Sequence, residues 1–132
     1  MSICIASAVA ALSLTGQAFT LSWIHSVERT EWQEHWRVEA DARLSIEWAR
    51  VKGSGAGMEP PPDAVLKDGW WVYRPQLPAQ ESRLLAVSGA TVSGWLLCVD
   101  GGACHDIEVM VGAPSGIDSL RLSGSDRCEI VR

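Results

Sequence analysis

A chain of 132 residues with a formal net charge of −5 has the size of one domain and is long enough to bury a hydrophobic core without depending on disulfides. Its acidic and basic residues are interspersed, which leaves no basic stripe for a nucleic-acid backbone and no polybasic arm for an anionic membrane surface. Seven tryptophans beside one tyrosine and one phenylalanine make indole the main aromatic group, a large apolar surface whose N–H needs a partner when buried.

The apolar run ICIASAVAALSL, residues 3–14, is about as long as a signal-peptide core, and Ala18 resembles the small residue of a cleavage site. No Lys or Arg precedes the run, the first charged side chain is Glu28, and the run is too short to cross a bilayer as a helix. These residues are expected to form the first strands of the domain, over 3–6 and 9–14, with no transmembrane helix of the chain's own. From Phe19 onward alternation dominates over helical periodicity, which predicts further strands over 18–27, 31–39, 43–51, 70–74, 83–87, 93–99 and 104–111.

Turn residues separate these segments, and the largest break is GSGAGMEPPPDA, residues 53–64, where alternate glycines permit unusual backbone angles and three prolines follow in a stiff extended path. The expected fold is all-β, one antiparallel β-sandwich or partly closed β-barrel over residues 1–111. Residues 112–132 are expected to be a C-terminal extension, partly ordered or flexible, that adds one strand at IDSLRL or frays.

The four cysteines, Cys4, Cys98, Cys104 and Cys128, include no CxxC pair. Cys98 and Cys104 flank VDGGA, a hairpin turn, so a cross-hairpin disulfide would form outside the cytoplasm. A zinc site built from Cys98, Cys104 and His105 lacks a fourth ligand, and neither a metal nor a cofactor is expected.

Chemistry concentrates in FTLSWIHSVERTEWQEHW, residues 19–36. Pairing 18–27 with 31–39 across a four-residue loop would place His25 opposite Glu34, Trp23 opposite Trp36 and Phe19 opposite Ala40. One face then gathers the apolar residues, with His25 and Glu34 as its only ionisable groups, about 4.5–5.5 Å apart at Cβ. His25 and Ser26 are neighbours on a strand and point to opposite faces, so they do not make a base and nucleophile. Trp23, Trp36, His25 and Glu34 are instead expected to share a tryptophan-lined face, with His25 and Glu34 either a structural pair or part of a ligand site. The turn containing Gly55 and Gly57 could offer backbone N–H groups to an anion, although no Gly-Lys-Ser/Thr follows to make a P-loop.

The ordered motifs FTLSWIHSVERTEWQEHWRV, ARVKGSGAGMEPPPDA, GWWVYRP and WLLC resemble those of the bacterial and archaeal family known as domain of unknown function 1850. The matching positions are His25, Ser26, Glu34, Gly55, Gly57 and Met58. Members of that family are commonly encoded beside permeases of tripartite ATP-independent periplasmic (TRAP) transporters, particularly those with a TAXI-type binding protein.

The resemblance implies an accessory role in solute uptake, on the cytoplasmic or periplasmic face of the inner membrane. The expected partners are the permease, its binding protein, or a small carboxylate or amino-acid ligand. Two other readings compete with it. One is a small enzyme with His25 as base, Glu34 orienting it and the Gly55 and Gly57 amides holding an anion. The other is a tryptophan-rich structural or oligomerisation module.

Overall fold

The computed structural model describes residues 2–24, 30–52, 62–86, 94–111, 119–125 and 128–130. In chain order these residues form β1 (Ser2–Ala6), β2 (Ala11–Thr15), β3 (Ala18–Ile24), β4 (Glu31–Val38), β5 (Leu44–Lys52), β6 (Val65–Lys67), β7 (Trp70–Tyr73), β8 (Arg83–Ala86), β9 (Leu96–Val99) and β10 (Cys104–Asp106). One helical turn, α1 (Ile107–Met110), precedes the last strand, β11 (Ser119–Ser123). Every pairing is antiparallel, in a small sheet ordered β2-β1-β11-β8 and a large sheet ordered β10-β9-β3-β4-β5-β7-β6.

Alternation explains how the sheets meet. Ile3, Ile5, Leu85, Leu120 and Leu122 of the small sheet pack with Phe19, Leu21, Trp36, Val38, Leu44 and Leu97 of the large one, all nearly or fully buried. The result is the expected all-β sandwich, and the two sheets do not close into a barrel.

The N-terminal apolar run is part of this core. β1 is an inner strand paired on both sides, by β2 and β11. The buried Ser7 hydroxyl at its end accepts from the Val9 and Ala10 amides and donates to the Val111 carbonyl. β11, from the segment beyond residue 111, lies between β1 and β8.

The structure departs from the sequence expectation in two connections. The strand expected over 104–111 stops at Asp106, whose side chain accepts from the Val109 amide and caps α1; Ile107 and Val111, one helical turn apart, are both buried. In addition, β7 has a hairpin partner, β6, that the sequence reading omitted. Asp68 and Gly69 join them with φ of 53° and 86°, the paired left-handed angles of a type I′ turn.

Both cysteine pairs are bridged, Cys98 to Cys104 directly across β9 and β10, and Cys4 to Cys128 across a separation of 124 residues. Chain-entropy arguments assign about 5 kcal/mol to a loop of that size and about 2 kcal/mol to the short one. Thermal denaturation under non-reducing conditions should therefore show a larger fall in midpoint for Cys4→Ser/Cys128→Ser than for Cys98→Ser/Cys104→Ser.

Candidate functional site

β3 and β4 do form the expected hairpin, but in another register. Trp23 faces Trp32 rather than Trp36, a displacement of four positions, while Leu21 faces Glu34 and Phe19 faces Trp36. The displacement is even, so each side chain keeps its expected face. Its cause is packing: Phe19 and Trp36 become a cross-strand pair 0% and 2% exposed, and the Trp23 and Trp32 indoles stack with centroids 6.3 Å apart. In the expected register Phe19 would have met Ala40, which lies beyond the end of β4.

The consequence is that Glu34 does not stand opposite His25. His25 and Ser26 lie outside the described residues, as do Gly55, Gly57 and Met58. The remaining expected positions, Trp23, Glu34 and Trp36, come together on the inner face of the large sheet. On that face a row runs Trp23, Trp32, Val51, Trp71, and the buried Nε1 groups of Trp32 and Trp71 have no hydrogen-bond partner among the described residues.

Glu34 is occupied by a structural task. Its Oε1 accepts from Trp36 Nε1 at 3.0 Å and from Arg83 Nε at 3.2 Å, and Oε2 lies 3.5 Å from an Arg83 terminal nitrogen. Arg83 belongs to β8 in the small sheet, so this half-buried ion pair clamps the two sheets together. A cleft of about 590 Å³ opens beside the clamp, with Tyr73, Ile46, Leu77 and Leu84 in its walls. Burial first, and the Glu34 charge second, hold the Tyr73 phenol above the ordinary tyrosine pKa.

The outer face of the same sheet carries a different chemistry. β5 has one extra residue, Glu47, because His35 pairs with Trp48 while Trp36 pairs with Ile46. This bulge changes which residues point inward: Leu44 and Ile46 before it, Ala49 and Val51 after it. Trp48, Arg50 and Lys52 are thereby turned outward.

His35 stacks on Trp48 with ring centroids 5.2 Å apart and planes 8° from parallel. Its Nε2 lies 2.8 Å from Asp100 Oδ2, and its Nδ1 lies 3.1 Å from Glu47 Oε1 without the geometry of a directed hydrogen bond. Arg50 donates from Nε to Gln33 Oε1 at 2.7 Å, and its guanidinium carbon stands 4.0 Å from the Trp70 ring centroid and 5.4 Å from that of Trp48. Stacking and one fixed hydrogen bond thus orient a guanidinium whose other N–H groups have no hydrogen-bond partner among the described residues.

Beside Arg50 lies a groove of about 770 Å³. Val65, Val72 and Trp48 supply apolar lining, Arg50, Lys67 and Arg74 positive charge, and Asp63 and Asp68 negative charge. Among the described residues none of these five charged groups is in an ion pair. Such a surface suits reversible binding of a small charged molecule. The sequence reading missed Arg50, Arg74, Lys67 and Arg83. The available signals were the parity switch within LSIEWARVK and the Asp68-Gly69 turn, which together define the outward face.

Two measurements follow from the clamp. Arg83→Met should destabilise the protein by about 1–3 kcal/mol in chemical denaturation, because it leaves Glu34 partly buried with only the Trp36 N–H, and Glu34→Gln should cost less. Tyr73 is the chain's one tyrosine, so phenolate absorbance reports it alone. Because the folded phenol titrates above the unfolded one, the stability carried by neutral Tyr73 is complete below the unfolded value of about 10 and is lost as pH rises through the folded value. Tyr73→Phe should abolish that alkaline loss, and Glu34→Gln should move the absorbance titration part of the way down.

No curated protein and no solved structure matches the chain. The family described as domain of unknown function (DUF1850) matches residues 19–107, from the second residue of β3 to the first of α1. That span contains the clamp and all of the groove, and this protein belongs to the DUF1850 family.

Proposed function

We propose that this protein is an accessory component of a TRAP-type uptake system of the TAXI class, and that it holds a small organic acid or amino acid in the outer-face groove. The observation that carries the reading is Arg50, a guanidinium stacked on Trp70, fixed by Gln33 and facing a groove with no described carboxylate paired to it. A half-buried cation of this kind is poised for a carboxylate, which an arginine fork receives through two parallel hydrogen bonds.

Compartment follows the same reasoning. All four cysteines are paired, which suits an oxidising environment such as the periplasmic face of the inner membrane. No helix among the described residues is long and apolar enough to cross a membrane. Association with the permease or its binding protein would therefore join the solute site to the transport path through a protein contact.

The test uses the tryptophans themselves, since Trp48 and Trp70 both touch Arg50. Small carboxylates and amino acids titrated into the protein should give a saturable change in tryptophan emission. In Arg50→Gln the midpoint should rise at least about tenfold, the scale of one charge-assisted hydrogen bond. A flat response across the panel, together with failure to co-purify with the permease from native membranes, would sink the proposal.

A further inference from the structure

We infer that the occupant of the groove is an acidic amino acid, a small frame bearing two carboxylates and one ammonium; this rests on the reading of the groove as a solute site. Three cations and two carboxylates line the groove, and no ion pair joins them to one another or to any other described residue. A ligand with two negative charges and one positive charge complements both signs. A plain dicarboxylate would satisfy the cations and leave its charge facing the carboxylates.

The order of the charges along the sheet gives the orientation. Arg50, Val72 and Val65 form one cross-strand row, with the two valines providing an apolar floor. Arg74 and Asp63 follow at one end, two residues along from Val72 and from Val65 respectively. Lys67 and Asp68 stand at the other end, Lys67 just before the type I′ turn and Asp68 within it. Each end of the floor therefore offers one cation and one carboxylate, and Arg50 stands between them.

An α-amino-acid centre presents a carboxylate and an ammonium side by side, which matches Arg74 with Asp63. Planar bidentate recognition favours arginine over lysine for that carboxylate. The ligand's second carboxylate then reaches Arg50, whose row lies about 7 Å away along the strand direction, a span that a short diacid covers. Asp63 is in this scheme the residue that tells an amino acid from the corresponding diacid. An ammonium left without an acceptor in the groove would lose its compensation for desolvation.

Calorimetric titration with L-glutamate and with glutarate, which lacks only the amino group, isolates the ammonium. Wild-type protein should bind L-glutamate at least about tenfold tighter than glutarate. Asp63→Asn should bring the two within about twofold of each other, and Arg50→Gln should weaken both. Asp63 is exposed, and an unchanged thermal midpoint would show that its substitution leaves the fold intact. Equal binding of the two ligands to the wild type would overturn this inference while leaving the anion-binding reading in place. An unchanged preference in Asp63→Asn would overturn the assignment of Asp63. Binding of neither compound would overturn this inference, while the groove reading falls only if the whole panel of carboxylates and amino acids is flat as well.

Discussion

Phe19 set opposite Trp36 is the contact on which the rest of the large sheet depends. These two side chains are the centre of the inner face, and burying both together outweighs any pairing available to the polar groups farther along the hairpin. Full burial of a large apolar side chain contributes about 1.5–3 kcal/mol relative to leaving it exposed. Once it forms, Trp23 must meet Trp32 and Glu34 must meet Leu21. Glu34 then points into the sandwich, where only an arginine from the opposite sheet and the neighbouring indole N–H can satisfy it.

The second constraint is the bulge at Glu47. Without it, period-two alternation from Leu44 would have carried Trp48, Arg50 and Lys52 into the core behind Ile46. The extra residue reverses the parity, so Ala49 and Val51 fill the interior and an indole and two cations face outward. Glu47 also lies against His35 and forms an ion pair with Arg37, so the residue that creates the irregularity is held by side chains of the neighbouring strand.

The two faces of the large sheet thus divide the labour. Inside, the Glu34 and Arg83 clamp and the tryptophan row hold the sheets in place. Outside, indoles and cations alternate, and the β6–β7 hairpin extends the sheet far enough to give the groove its second wall. A packed interior beneath it fixes the outward guanidinium against which the proposed solute would bind.

Much of the architecture was legible from residues alone. Alternation in FTLSWI pointed to a strand with one buried face, whereas the pattern in IDSLRL allowed either a strand or a frayed tail, and only its place between β1 and β8 decided it. The side on which Trp23, Glu34 and Trp36 lie was also determined, because a strand's period of two survives any even slip. Register itself was not legible. Two alignments that differ by an even number sort the same residues to the same faces, and only the third dimension, where Phe19 and Trp36 meet the opposite sheet, separates their energies. The partner of Glu34 was equally hidden, since Arg83 arrives from a different sheet and 49 residues away. The groove needed both the parity change at Glu47 and the hairpin at Asp68-Gly69, local signals that sequence carries but whose joint consequence, cations from β5, β6 and the residue just after β7 around one apolar floor, exists only after the sheet is assembled.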